Sequence, residues 1–171
     1  MNEVLTRWNS LDQDTAAAVV LPCCGSRAWA EQLAARRPIT DEAKLLAESS
    51  AVWQALPEQA WQEAFDSHPR IGEQKAQGHA TAQSLHASAK EQSVALSADD
   101  AAKLALKEGN RHYEEKFGRI FIICASGRSA TEILAALETR MSNDAATEIR
   151  EAAEQQRQIT ALRLKRWMEA E

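Results

Sequence analysis

The chain contains one strand-like run, the apolar pentapeptide Ile120 to Cys124. No other stretch of the sequence is suited to pair with it in a sheet. Alanine is abundant, and 6 Gly and 4 Pro occur among 171 residues, a composition that favours helix over sheet. We therefore predict an all-α fold of about eight or nine helices, in which the apolar run is a buried extended segment between two helices.

The length and charge of the chain limit its class. A chain of 171 residues can bury a full hydrophobic core, and no repeat, low-complexity stretch or linker interrupts it, so we predict a single domain over residues 1–171. The net charge of −5 and the lack of a basic stripe argue against nucleic acid as a partner. An anionic small substrate would need a local arginine. No apolar run approaches the length of a membrane span, so no membrane partner is expected.

The three cysteines are Cys23, Cys24 and Cys124. Their number is odd and they show no disulfide-framework spacing, which indicates reduced thiols in a cytoplasmic protein. The N-terminus has no apolar leader segment, which agrees with a cytoplasmic location. Cys124 ends an apolar run, so we expect it to be buried rather than to act as a nucleophile.

Capping residues predict where the helices begin. Ser129 and Glu132 have the spacing of a capping box. The last helix is predicted to run to about Trp167, and Glu73 to Ala80 is predicted to be a mobile loop. The predicted N-caps are Asn9 or Ser10, Ser26, Ser97, Ser129 and Asn143, and Thr40-Asp41 is predicted to begin a further helix.

The stretch from Ser67 to Glu73 is the first candidate site. It groups an imidazole, a guanidinium and a carboxylate around a proline and a glycine. Pro69 disfavours helical backbone at His68, so the ring is expected on a stiff, extended chain just past a helix end. The alternative is an ordinary charged turn at the surface.

A second candidate site is a polar helix face around residues 81–94. Ser84, Ser88 and Glu91 point the same way from one helix, and Gln92 adds an amide. The helix has little apolar bulk. Its polar face therefore lines either a polar cavity or solvent.

The last helix carries an arginine on its apolar stripe. The stripe consists of Ile149, Ala152, Ala153, Gln156 and Ile159, and Arg163 continues it. A guanidinium facing the core is costly unless an anion pairs with it. Alternatively, Arg163 bonds the last carbonyls of its own helix.

The residues after the apolar run precede a predicted helix start, where free backbone N–H groups gather. Such groups can hold a carboxylate or an imide-like oxygen. The segment consists of Ile123, Cys124, Ala125, Ser126 and Gly127. It could also be only a buried crossover.

The histidines do not have metal-ligand spacing. They are His68, His79, His86 and His112, and no two of them are four residues apart. Neither an HExxH nor a CxxC motif is present. We expect no metal site.

Together these motifs resemble the 2-oxo-4-hydroxy-4-carboxy-5-ureidoimidazoline (OHCU) decarboxylase family, whose members catalyse the last step from urate to allantoin. The similarity spans nearly the whole chain, as far as Arg163. The motifs that carry it are His68-Pro69-Arg70-Ile71-Gly72, Ser88-Ala89-Lys90-Glu91-Gln92, Asn110, Tyr113, Lys116-Phe117-Gly118 and the run from Phe121 to Ala125.

The resemblance implies an all-α homodimer that needs no cofactor and forms (S)-allantoin. It assigns catalysis to His68 and Glu91. Because an imidazole ordinarily titrates near working pH, we expect His68 to be the proton donor, with Glu91 assisting, and we assign Arg70 no catalytic role. Substrate contacts would be made by Pro69, Ser88, Ala89, Lys90, Glu91, Gln92, by the backbone of Ile123, Cys124, Ala125, Ser126 and Gly127, and by Arg163. Two other functions stay open: a metal-dependent hydrolase of a cyclic amide, and a helical interaction module without activity.

Overall fold

The computed structural model describes residues 2–71, 81–93 and 100–170. Within these ranges it contains nine α-helices, one 3-10 turn and no β-strand, which confirms the all-α prediction. The helices are α1 (Glu3–Asn9), α2 (Gln13–Val20), α3 (Arg27–Ala34), α4 (Glu42–Ala55), α5 (Glu58–Asp66), α6 (Ala82–Glu91), α7 (Asp100–Phe117), α8 (Ala130–Arg140) and α9 (Ala145–Glu169), and the 3-10 turn, Leu21–Cys23, follows α2. Among the described residues, no helix has both the length and the apolar character needed to cross a bilayer.

Two of the predicted caps, and the helix start predicted at Thr40-Asp41, are confirmed. Ser26 caps α3, Asp41 caps α4, and Ser129 caps α8 in a reciprocal capping box with Glu132. Each cap accepts a backbone N–H that the first helical turn leaves without an intrahelical partner. The Ser97 cap and the loop predicted for residues 73–80 lie outside the described residues.

Two predicted caps are wrong. Asp12, rather than Asn9 or Ser10, caps α2, because the Asn9 side chain instead exchanges hydrogen bonds with the backbone of Ile39. Asp144, rather than Asn143, accepts the Thr147 N–H at the start of α9, at 2.7 Å. In both cases a carboxylate takes the position, and negative charge is favourable at a helix N-terminus.

The chain divides into two compact units. The terminal unit comprises Met1–Ala64 and Arg157–Glu171, and buried indoles anchor it. The Trp8 Nε1–H donates to the Ala16 carbonyl at 2.8 Å, and the Trp29 Nε1–H donates to Ser49 Oγ at 3.1 Å. Both buried rings therefore keep their polar atom satisfied.

The central unit comprises Phe65–Gln156. Helix α7 ends where Gly118 adopts a φ of +70° and donates its N–H to the Glu114 carbonyl at 2.8 Å, a left-handed turn that suits glycine. The chain then enters the apolar run, whose first four residues are at most 5% exposed. The buried extended segment is thus confirmed. The core of this unit consists of Ile71, Leu106, Tyr113, Phe121, Ile123, Ala125, Ala130, Ile133 and Leu137.

Candidate active site

His68 lies two residues past the end of α5 and is buried, with 7% of its surface exposed. Its backbone N–H donates to the Phe65 carbonyl at 3.1 Å, and Pro69 follows directly and is buried as well. The alternative of a surface turn is therefore wrong for the histidine. The charge of Arg70 is paired with Glu114 on α7, with 2.8 Å between Nη2 and Oε1.

The His68 ring is held by Gln156 of α9. The distance from Nε2 to the amide Oε1 is 2.6 Å, and Gln156 has no exposed surface. An amide oxygen can only accept a hydrogen bond, so this contact suits an imidazole with its hydrogen on Nε2. Sequence reasoning placed Gln156 on the apolar stripe but gave it no role. An amide within an apolar stripe was the signal that could have identified this contact.

The polar face of α6 is buried. Thr81 caps the helix by accepting the Ser84 N–H at 3.0 Å. Ser84, Ser88 and Glu91 are 3%, 4% and 7% exposed, so the alternative of a solvated helix face is wrong. Two hydroxyl groups and a carboxylate therefore lie in the interior, where polar groups need hydrogen-bond partners.

The other residues of the motif around α6 differ in exposure. Gln92, just past the helix end, is 5% exposed. Ala89 is half-buried and Lys90 is exposed. The helix thus turns Ser88, Glu91 and Gln92 towards the interior and Lys90 towards solvent.

The segment after the apolar run alternates in exposure. Ile123 and Ala125 are 5% and 4% exposed, whereas Cys124 between them is only half-buried. The prediction that Cys124 is buried is therefore wrong, because Cys124 lies where the buried run approaches the exposed residues Ser126 and Gly127. Ser126 and Gly127 are exposed, and Gly127 has a φ of +74°, which a residue with a Cβ would adopt only under strain.

Two adjacent amides of α9 hold two of the predicted site segments. Gln155 Oε1 accepts the Cys124 backbone N–H at 2.9 Å, and Gln156 Oε1 accepts from His68 Nε2. The Cys124 N–H is therefore already bonded within the protein. One helix thus bonds both the imidazole of His68 and the backbone of the segment after the apolar run.

The turn after His68 and the extended run also share a core. Ile71 packs in the same apolar cluster as Ile123 and Ala125, and Asn110 Nδ2 on α7 donates to the Ile71 carbonyl at 3.3 Å. The central unit therefore contains the histidine turn, the polar face of α6 and the extended run.

A buried ionic network crosses this unit. Glu148 has no exposed surface, and its Oε1 accepts from Arg140 Nε at 2.8 Å, from Arg140 Nη2 at 2.6 Å and from Tyr113 Oη at 2.5 Å. Burial, reinforced by the Glu148 carboxylate, raises the pKa of Tyr113 above its usual value, so the phenol stays a hydrogen-bond donor at neutral pH.

The same arginine holds the backbone of the apolar run. Arg140 Nη1 donates to the Ile122 carbonyl at 2.6 Å, and its guanidinium carbon lies 4.4 Å from the centre of the Phe121 ring. Sequence reasoning missed this network. The available signal was spacing, because Arg140 follows Ile133 and Leu137 on the buried stripe of α8.

Arg163 lies in the terminal unit and is 5% exposed. Its Nη1 donates to the carbonyl of Pro22, in the 3-10 turn, at 3.3 Å. This guanidinium thus bonds a carbonyl outside its own helix, and it occupies the core-facing position that the stripe predicted.

The thiol of Cys24 is not suited to nucleophilic chemistry. Burial raises its pKa to about 12, although a hydrogen bond with Thr160 and the charge of Arg163 act in the opposite direction. The thiol is therefore protonated at neutral pH. Among the residues that the structure describes, no group of three or more His, Cys, Asp or Glu side chains could hold a metal ion.

The chain is similar to proteins of urate degradation. It is 37% identical over 143 residues to the uric acid degradation bifunctional protein TTL of Arabidopsis thaliana, a match that covers 83% of this chain and 44% of that protein. It is 32% identical over 129 residues to the 2-oxo-4-hydroxy-4-carboxy-5-ureidoimidazoline decarboxylase of Amia calva, covering 75% and 73% of the two chains. The chain thus spans less than half the length of the Arabidopsis relative.

Solved structures and a family model agree with these matches. A crystal structure of OHCU decarboxylase in the presence of (S)-allantoin superposes with a TM-score of 0.76 at 34% identity, covering 88% of this chain and 96% of that one. A crystal structure of (S)-allantoin synthase gives a TM-score of 0.70 at 20% identity, covering 95% and 53%, and supports the fold. The sequence model of OHCU decarboxylase matches residues 9–165, so the chain belongs to the OHCU decarboxylase family.

Proposed function

We propose that this protein decarboxylates OHCU to (S)-allantoin in urate degradation, without a cofactor. The observation that carries the proposal is the buried His68, held on a proline-stiffened turn with its Nε2 bonded to Gln156, in a member of the OHCU decarboxylase family. The similarity to an OHCU decarboxylase crystallised in the presence of (S)-allantoin supports the choice of substrate.

The chemistry needs no external electron sink. The substrate carries its carboxylate on a carbon next to a ring C=N bond. When the carbon–carbon bond breaks and CO₂ leaves, the electron pair can move into that C=N bond, the role that cofactors fill in other decarboxylases. A proton must then reach carbon on one face. An imidazole ordinarily titrates near neutral pH, so His68 is suited to deliver that proton.

The other predicted site residues would bind and orient the substrate. Glu91 would assist, either by orienting or charging the His68 imidazole or by accepting the proton of the substrate hydroxyl group. Ser88 and Gln92 offer a hydroxyl and an amide from the same buried region. Backbone and packing contacts would come from Pro69, Ala89, Lys90, Ile123, Cys124, Ala125, Ser126 and Gly127.

Arg163 would pair with the polar edge of the substrate. Its guanidinium is the local positive charge that a protein of net charge −5 needs for an anionic ligand. We also propose that the protein is a homodimer, as the family resemblance implies, and that it is cytoplasmic, as the cysteine pattern indicates. The lack of a repeat or linker in the sequence supports a single domain.

Arg163→Lys is expected to raise KM for OHCU more than it lowers the melting temperature. Lysine keeps the charge but loses the planar fork that fits a carboxylate or carbonyl edge. Arg150→Lys is the matched control, because Arg150 is exposed on the same helix. Both values are measured on one preparation of each variant. If KM stays unchanged in Arg163→Lys, the arginine has only a structural role.

The product of the enzymatic reaction is expected to be a single enantiomer of allantoin, the S form. A pocket with His68 on one side admits one proton donor, whereas the intermediate free in solution takes up a proton from either face. A closed, water-poor pocket is implied, since the decarboxylated intermediate must be protonated before it is released from the enzyme. Freshly made substrate is followed in the ultraviolet, and circular dichroism of the product gives its handedness.

The spontaneous reaction is the control, because it gives racemic product at its own slower rate. Racemic allantoin formed at the accelerated rate would exclude His68 as the final proton donor. No acceleration at all would exclude OHCU decarboxylation. Loss of activity with a chelator would instead favour a metal-dependent hydrolase, so the assay is run with and without one.

A further inference from the structure

We infer that Gln156 is a positioning residue for His68, which keeps Nε2 of the imidazole protonated and confines proton exchange to Nδ1. The catalytic consequence rests on the proposed function, in which His68 donates a proton. The hydrogen-bonding pattern itself does not depend on it.

The contact has the geometry of a fixed hydrogen bond. The Nε2–Oε1 distance is 2.6 Å, Gln156 has no exposed surface and His68 is 7% exposed, so bulk water does not compete for either atom. Gln156 lies in the interior of α9, a helix of 25 residues. Its side chain therefore projects from rigid backbone rather than from a loop.

The chemistry of the two groups determines the protonation pattern. The amide oxygen accepts a hydrogen bond from Nε2–H in the neutral imidazole and equally in the imidazolium. The other neutral tautomer, with its hydrogen on Nδ1, would direct the lone pair of Nε2 at the lone pairs of Oε1. The Gln156 contact therefore favours one tautomer, and the hydrogen that distinguishes the charged ring from the neutral ring is then the one on Nδ1.

The neighbouring glutamine offers a built-in comparison. Gln155 makes the same kind of bond with its amide oxygen, but to the Cys124 backbone N–H, at 2.9 Å. Consecutive helical residues point about 100° apart, so each amide serves its own segment. A change in the His68 ring should therefore follow loss of the Gln156 amide and not loss of the Gln155 amide.

The first test uses the wild-type protein labelled with ¹⁵N in its four histidine rings. Ring spectra that correlate nitrogen with carbon-bound hydrogen identify the protonated nitrogen, and the His68 signals are those that disappear in His68→Asn. We expect a neutral ring with Nε2 protonated and Nδ1 unprotonated. A neutral ring protonated on Nδ1 would overturn the inference without any variant of Gln156 being needed.

The second test compares three variants. Gln156→Leu removes the acceptor and is expected to give a mixture of tautomers and to lower kcat by up to about 10²-fold, with a smaller effect on KM. Gln156→Glu keeps an acceptor oxygen and is expected to retain Nε2–H and to recover part of kcat. Gln155→Leu is expected to leave the His68 ring spectrum unchanged.

The outcomes separate this inference from the proposed function. If Gln156→Leu leaves the ring spectrum of His68 unchanged, the inference is wrong even if the protein is an OHCU decarboxylase. If the wild-type protein does not accelerate OHCU decay, the proposed function fails while the spectra still report on the Gln156 contact. If Gln156→Leu does not fold, the inference is tested by the His68 ring spectra of the wild-type protein and of Gln156→Glu, both of which should show Nε2 protonated.

Discussion

Replacing His68 with asparagine is expected to lower kcat by about 10²–10⁴-fold, the usual loss when a general acid is removed. Asparagine has no group that exchanges a proton near neutral pH, and its shorter side chain does not reach the Gln156 amide as the imidazole Nε2 does. The fold should be kept, because the turn depends on Pro69 and on the bond from the His68 N–H to the Phe65 carbonyl. Ultraviolet assays give kcat, and far-ultraviolet circular dichroism reports on the fold.

His112→Asn is the matched control for this variant. His112 is exposed on α7, so the same substitution there should leave turnover unchanged. Near-normal turnover by a folded His68→Asn protein would remove the histidine from the mechanism. A comparable loss in both variants would indicate a general effect of the substitution rather than loss of a proton donor.

Arg140→Leu is expected to lower the free energy of unfolding by about 3–5 kcal/mol, the range for removing one partner of a buried ion pair. Glu148 has no exposed surface. Without the guanidinium, its buried negative charge would lose its cationic partner, although Tyr113 and Asn143 would still donate hydrogen bonds to it. The Ile122 carbonyl would lose its bond to Arg140 as well. Urea denaturation measures the change.

Arg111→Leu is the control for the loss of an arginine from an ion pair. Arg111 Nη2 lies 3.0 Å from Glu108 Oε2, and Arg111 Nη1 lies 2.8 Å from Glu115 Oε1. All three side chains are more than half exposed. Exposed ion pairs contribute little to stability, so the free energy of unfolding of this variant should be close to that of the wild-type protein. The double variant Arg140→Leu with Glu148→Leu should recover part of the loss, because no buried charge is left unpaired. Equal stability of Arg140→Leu and Arg111→Leu would contradict the described network.

Local rules predicted much of the fold. Ser26 and Ser129 could be recognised as caps, and Thr40-Asp41 as a helix start, because each signal depends on a few consecutive residues. The apolar run could be predicted as extended and buried because it had no possible partner strand. The polar face of α6 was recognised by spacing, but spacing could not decide between a cavity and solvent, since that depends on what packs against the helix.

The contacts that were missed join distant parts of the chain. His68 and Gln156 are 88 residues apart, and Tyr113 and Glu148 are 35 apart. Helical spacing indicates which side of a helix an arginine or a glutamine occupies, but not which group it meets there. For the same reason Gln156 could be assigned to a buried stripe before its hydrogen bond to the imidazole was known.

The extended run also has a consequence for how the sequence can vary. A strand within a sheet keeps its backbone hydrogen bonds through almost any exchange of side chains, because its partner is another backbone. Here the Ile122 carbonyl and the Cys124 N–H are bonded to the side chains of Arg140 and Gln155. The backbone of this run therefore depends on the identity of two side chains on α8 and α9. A substitution at Arg140 or Gln155 would remove a hydrogen bond from the run without changing the run itself.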